Sequence, residues 1–314
     1  MAEPFGGNFG RKAPMKPDLL IVGSGALATL FAARLSTAGV NVIMLGSWLA
    51  GLAALSKAGA RLEGDGAHIV QATDNPADCR GMKYALVLVK SWQTEHSASQ
   101  LAECLVDGGL AVTLQNGLGN DTTLSKSLGP QRVSRGVTTL GATLLAPGLV
   151  RPAGDGVITL EAHSQLGGLE AMLRLVGFDV RITGNMEPVV WAKLIINAAI
   201  NPVTGLLRVK NGLLLTNPPA RALMAQLAGE AAQVAKALNV ELPFFDPVRA
   251  TEEVAQRTAE NISSMLQDVL RGATTEVDAI NGAIVRMGEQ KGIPVSANRA
   301  ICSVVKALSY RDKI

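Results

Sequence analysis

Aromatic residues are scarce in this chain: Phe, Tyr and Trp make up 4% of its 314 residues, while 48% are hydrophobic. Its cores must therefore be built from Ala, Leu, Val and Ile. Cysteine is scarcer still. Cys79, Cys104 and Cys302 are odd in number and far apart, which argues against a disulfide framework. The three histidines, His68, His96 and His163, show no ligand spacing with them, so no metal site is expected. A reducing cytoplasm is the compartment this implies. There is no large excess of either charge: the net charge is +3, and Lys and Arg are scattered, leaving no footprint for nucleic acid. An uninterrupted run long enough for a membrane is missing too. The stretch "LLIVGSGALATLFAARLSTAGVNVIML", preceded by Arg11, Lys12 and Lys16, resembles a signal peptide or anchor, but three glycines and Arg34 interrupt it and Asp18 flanks it. No membrane partner is expected.

The length leaves room for two domains. Residues 1–17 are rich in Gly and Pro without a period and read as a flexible leader. "DLLIVGSG" then reads as a strand, "ALATLFAARLSTAG" as a helix closed by Gly39, and "VNVIML" as a second strand: one βαβ unit. Apolar runs at 84–90 and 110–117 continue the alternation. "GVTTLGATLL", "GLVRPAGDGVITLE" and "FDVRIT" read as further strands, some antiparallel at an edge. Beyond "GNME" at 184–187 the character changes, with helices expected over 188–201, 218–238, 247–270 and 273–291 and from about 296. The expected fold is α/β: an N-terminal Rossmann-type doubly wound sheet over 18–185, then an all-α domain over 186–314.

Four stretches carry candidate chemistry. "GSGALA", Gly23 to Ala28, fits G-x-G-x-x-A at the first strand-to-helix turn, where backbone N–H groups cradle a pyrophosphate; an ordinary tight turn is the plainer reading. "QNGLG" at 115–119 is a turn signal, or else brings Asn116 to a ligand at a strand's carboxyl end. "WAKLIINAAIN" places Lys193, Asn197 and Asn201 four residues apart on an otherwise apolar helix, so they form one stripe that needs internal partners or a wet cleft. Pro202 directly after it suggests that the helix ends there. "ENISSMLQDVLRGATTEVDAING" carries Ser263, Ser264 and Glu276, which serve either as helix caps or as ligands for a carboxylate and partners of Lys193.

In family order, "GSGAL", "VKSWQT", "QNGLG", "WAKLIINAAINPVTGL", "ENISSMLQD" and "TEVDAING" resemble the ketopantoate reductase family, and the similarity runs from about residue 18 to the end. The resemblance implies NADPH-dependent reduction of 2-dehydropantoate to pantoate on the route to coenzyme A. Gly23, Ser24, Gly25, Ala26, Leu27 and Ala28 would then bind the pyrophosphate, Lys90 and Asn116 would contact the cofactor, and Ala142 would lie beside it. Lys193 becomes the proton donor. Asn197, Asn201, Asn211, Asn261, Ile262, Ser263 and Ser264 surround the 2-keto acid, and Glu276 lies near both cofactor and substrate. The chain departs from the family at Ser47, where an arginine is usual; this weakens the NADPH assignment and admits NADH. Ser47 would instead cap the following helix. A related reductase of another 2-keto acid or an imine, and a non-catalytic NADP-binding sensor, are the other readings; homo-oligomerisation is left open.

Overall fold

The computed structural model describes residues 17–308. Of the expected leader, residues 1–16 lie outside the described residues, as do the last residues of the chain from 309.

Along the chain the elements are β1 (Leu19–Val22), α1 (Ala26–Thr37), β2 (Val42–Leu45), α2 (Leu49–Ala58), β3 (Ala60–Leu62), β4 (Ala67–His68), β5 (Gln71–Thr73), β6 (Met82–Val87), α3 (Thr94–Cys104), β7 (Leu105–Thr113), α4 (Asn120–Leu128), β8 (Val133–Thr138), β9 (Ala142–Ala146), β10 (Leu149–Pro152), β11 (Val157–Glu161), α5 (Gly167–Leu175) and β12 (Asp179–Thr183). Helices follow: α6 (Glu187–Leu207), α7 (Leu213–Thr216), α8 (Pro218–Ala237), α9 (Pro247–Arg257), α10 (Ser264–Leu270), α11 (Val277–Lys291) and α12 (Ser296–Leu308).

The main sheet has the order β12-β11-β8-β7-β6-β1-β2-β5. From β5 to β8 it is parallel, and β11 runs antiparallel to β8. Its inner strands β1, β2 and β6 are apolar on both faces. In β1, Leu19 and Ile21 join the core under α1 and α5, while Leu20 and Val22 join the core under α3 and α4. Period-two alternation between two covered faces is what a doubly wound sheet demands. After β5 the chain crosses to the other side of β1 to form β6, so the direction of winding reverses between β1 and β6. Ligands of open α/β sheets sit at such a reversal, beyond the carboxyl ends of the strands.

Several expected boundaries move. "GVTTLGATLL" and "GLVRPAGDGVITLE" each break in two, and the inner halves, β9 and β10, join β3 and β4 in a separate four-stranded sheet. The helix expected over 247–270 breaks at 258–263, where Asn211 and Gly212 N–H groups bond to the carbonyls of Asn261 and Ala259.

The helix of the polar stripe does not end before Pro202; α6 runs on to Leu207. Proline there removes the N–H that the Ala198 carbonyl would accept. Asn281 of α11 supplies the replacement, its Nδ2 donating to that carbonyl at 2.9 Å and to Asn298 Oδ1 at 3.0 Å. Asn298 in turn donates to Glu230, whose carboxylate also accepts the N–H groups of Ala297 and Asn298 at the start of α12. A buried polar chain thus joins α6, α8, α11 and α12 inside the apolar core around Trp191, Ile195 and Met224. Asn281→Leu leaves a carbonyl and an amide unpaired, at about 1 to 3 kcal/mol each. It is expected to lower the unfolding free energy by about 2 to 4 kcal/mol, read as a lower denaturant midpoint at unchanged slope. An unaltered midpoint would show that the helix does not depend on this substitute donor.

Among the described residues α6 is the one helix long and apolar enough to span a membrane, but 61% of its apolar window is buried in this helical core.

Candidate active site

The first turn of the site owes its shape to glycine. Gly23, directly after β1, has φ +134°, and a Cβ there would stand 3.1 Å from the backbone carbon of Leu88. At Gly25 a Cβ would meet nothing within 4 Å, so the space beside that backbone is open. Helix α1 begins at Ala26 without a side-chain cap, leaving its first-turn N–H groups as free donors. An open cradle beside uncapped N–H donors suits a pyrophosphate. Ser24, Ala26 and Leu27 line the same space, but Ala28 is turned into the core.

This turn is one wall of a cleft of about 1120 Å³ that runs along the carboxyl ends of the strands and is closed on the far side by the helical half. Lys90 follows β6, Asn116 follows β7 and Ala142 opens β9; all three line it, as do Ser47, Lys193, Asn211, Asn261, Ile262, Ser264 and Glu276. Four of the expected residues are placed otherwise. Besides Ala28, Asn197 lines a neighbouring cavity of about 50 Å³, shared with Lys193 and Asn116. Asn201 is buried and lines neither space. Four residues turn a helix through about 400°, so the stripe drifts by about 40° per step and leaves the cleft after its first member. Ser263 is buried as the cap of α10, accepting from Leu266 N at 3.0 Å and pairing with Thr204 Oγ1 at 2.7 Å. The capping role expected for Ser47 is likewise not seen: α2 starts one residue later, after Trp48, and Ser47 Oγ accepts from Gln93 Nε2 at 3.1 Å.

Five polar contacts line the cleft. Lys90 Nζ lies 2.6 Å from Asp268 Oδ2 and 3.6 Å from Glu276 Oε2. Glu276 does not cap its own helix; its Oε1 accepts the Ser91 N–H at 3.0 Å and its Oε2 accepts Asn116 Nδ2 at 3.3 Å. Lys193 Nζ donates to the Thr138 carbonyl at 2.7 Å. Burial disfavours the Lys193 ammonium and lowers its pKa to about 8, the negative charge of Glu276 opposing the fall. Burial opposes the charge on Lys90 as well, but Glu276 and Asp268 outweigh it and hold that pKa above the ordinary lysine range. Asp268 is pushed upward by burial, with Lys90 pulling the other way. Asn211 adds an acceptor: its Nδ2 donates to Thr258 Oγ1 at 2.9 Å, while its buried Oδ1 has no partner among the described residues.

Asp268 is a member of this site that residue-by-residue reading missed. It stands four residues after Ser264, hence on the same helical face, and that spacing was the available signal. The Thr138 carbonyl and the Ser91 N–H had none, being backbone groups. Gln115 binds the Val89 carbonyl at 3.0 Å and Thr94 Oγ1 at 2.8 Å, holding the loops after β6 and β7 together. The assembly can bind a dinucleotide along the glycine turn and deliver a proton from a desolvated lysine to a small oxygenated ligand.

Comparison with known proteins shows the family. The family model described as ketopantoate reductase PanE/ApbA matches residues 19–165, and its C-terminal counterpart matches 185–309. The 2-dehydropantoate 2-reductase of Archaeoglobus fulgidus is 39% identical over 92% of this chain and 96% of its own. The crystal structure of a PanE/ApbA family ketopantoate reductase from Ralstonia eutropha JMP134 superposes with a TM-score of 0.87 at 32% identity, covering 94% of this chain and 99% of that one. A D-mandelate dehydrogenase solved with NADH and anilino(oxo)acetate has a TM-score of 0.86 over 94% of this chain and 99% of its own, but at 21% identity that likeness speaks for the fold alone.

Proposed function

The chain belongs to the ketopantoate reductase family, and from that premise we propose that it reduces 2-dehydropantoate to pantoate in the cytoplasm, on the route to coenzyme A, with NADPH as the preferred donor. The observation that carries the reading is the position of Lys193: a desolvated ammonium opening onto the same cleft as the Gly23–Leu27 turn, with the carboxylate of Glu276 lining that cleft and supporting its charge. A nicotinamide cofactor in that cleft supplies the hydride. The glycine turn and the α1 N–H groups would hold its pyrophosphate, and Asn116 and Ala142, which line the same cleft, would contact it.

Lys193 Nζ gives its proton to the keto oxygen as negative charge gathers there, exchanging the Thr138 carbonyl for the substrate. Glu276 keeps the lysine charged until that moment. Asn211 Oδ1 takes a substrate hydroxyl, which satisfies its open acceptor, and Ser264 offers a hydroxyl to the carboxylate. The contacts from Lys90 to Asp268 and from Ser91 N–H to Glu276 hold the two halves together over the reacting atoms and exclude water. Following NADPH absorbance with 2-dehydropantoate and a panel of other 2-keto acids tests the reading. A kcat/KM highest for 2-dehydropantoate supports it; a higher value for another keto acid, or no turnover with any, overturns the substrate or the activity.

The preference for NADPH over NADH is narrow in this reading. Among the described residues, the cations that line the cleft are Lys90, Arg151, Lys193 and Arg271, and each already has an acceptor: Lys90 and Arg271 on Asp268, Arg151 on Glu63, Lys193 on Thr138. Ser47, neutral, stands where a charged hydrogen bond worth roughly 1.5 to 3 kcal/mol is usual, a factor of about 10 to 150 in discrimination. Ser47→Arg is expected to widen the kcat/KM ratio of NADPH to NADH by about that factor. Strict NADH preference in the native chain, or an NADPH preference beyond about 10³-fold, would contradict this account.

A further inference from the structure

The chain has three tryptophans. Trp191 is buried in the helical core, whereas Trp48 and Trp92 are 38% and 57% exposed, and both line the cleft. In a protein this poor in aromatics, two indoles left partly in water at one ligand cleft call for a cause.

Trp48 is held where it is by a second residue. Gly51 sits in the first turn of α2, and a Cβ there would stand 2.2 Å from Cε3 and 2.7 Å from Cζ3 of the Trp48 ring. Glycine inside a helix costs about 1 kcal/mol relative to alanine, and here it creates a seat on which the indole lies across the helix. The loop that carries Trp48 also touches the glycine turn: a Cβ on Gly46 would be 3.0 Å from Ser24 Oγ. Two residues of chain reach at most about 7 Å, so the Trp48 backbone stands close to the phosphate cradle, and the residue lines the same cleft as Ser24 and Gly25. The Ser47–Gln93 hydrogen bond ties this loop to the one bearing Trp92. In the sheet order, β2 and β6, which these loops follow, flank β1.

We propose that Trp48, seated on Gly51, is the stacking platform for the adenine of the dinucleotide, and that this chain grips the adenosine end through the flat face of the base. The inference rests on the dinucleotide reading of the cleft. An indole face attracts every nucleobase and ignores the ribose substituent. It therefore strengthens NADPH and NADH alike, which fits the neutral Ser47 beside it.

The test uses intrinsic fluorescence and calorimetry on the full chain. In a Trp92→Phe background only Trp48 and Trp191 emit, and AMP is expected to quench that emission saturably; adding Trp48→Leu abolishes the quench. Base stacking is worth about 1 to 3 kcal/mol, so Trp48→Leu should raise the dissociation constants of NADPH and NADH by the same factor, about 5- to 150-fold. Trp48→Phe restores most of the affinity. Gly51→Ala, which improves helix propensity yet unseats the indole, weakens both cofactors without lowering the melting temperature. Unchanged affinity in Trp48→Leu, or a loss confined to one of the two cofactors, overturns the platform. Failure of the native chain to bind NADPH, NADH or AMP overturns the dinucleotide reading itself and this inference with it.

Discussion

Lys193→Ala is expected to lower kcat by about 10² to 10⁴, the range for removing a positioned general acid, while the dissociation constant of the cofactor changes little. The separation follows from the geometry: Lys193 rises from α6 in the helical half, and the glycine turn that holds the pyrophosphate belongs to the sheet. The same residue sets a pH limb. Reduction needs the ammonium form, and burial has lowered the Lys193 pKa to about 8. The kcat/KM for reduction should be flat below that value and fall about tenfold per pH unit above it. The reverse oxidation needs the neutral amine and should rise through the same region. Near-native turnover in Lys193→Ala, or a reduction profile that stays level well above pH 8, would remove Lys193 from the mechanism.

A second large effect is expected from Glu276→Gln. The carboxylate accepts the Ser91 N–H and the Asn116 amide and lies 3.6 Å from Lys90 Nζ, so one side chain organises groups from two loops of the sheet domain. Charged hydrogen bonds are worth roughly 1.5 to 3 kcal/mol each. Weakening two of them should lower kcat/KM by about 10²-fold. The amide is isosteric, and the carboxylate caps nothing in its own helix, so the loss falls on catalysis more than on folding. Glu276 also supports the charge on Lys193. Removing it should move the alkaline limb of reduction to lower pH. A lowered melting temperature with unaltered kcat/KM and an unmoved limb would return Glu276 to a purely structural role.

The order of chemistry along the chain was open to reading before any fold was known. A glycine turn after a first apolar strand, alternation of strands and helices, and a change to Ala- and Leu-rich helices near residue 185 are local patterns. Local patterns survive folding because backbone sterics and two-sided burial impose them on each segment. The glycine requirement at Gly23 is of that kind, since φ and the approach of Leu88 are set within one βαβ unit and its neighbour. Ser264 and Glu276 could be singled out as residue types, but not told apart from caps, because capping and ligand binding draw on the same side chains.

What stayed hidden depends on which distant segments meet. Asp268 reaches Lys90 across 178 residues, and Glu276 reaches Ser91 across 185. The separation of Lys193, Asn197 and Asn201 into a cleft, a side cavity and the core follows from how α6 is rotated against β8 and the other helices, which its own sequence does not specify. Pro202 shows the same limit most plainly. Taken alone, proline predicts a helix end; in the folded chain Asn281, 79 positions further on, donates to the carbonyl that proline leaves free, and the helix continues. Propensity acts through neighbours in sequence, whereas the partner that overrides it is chosen by packing, and only the tertiary structure brings that partner within 3 Å.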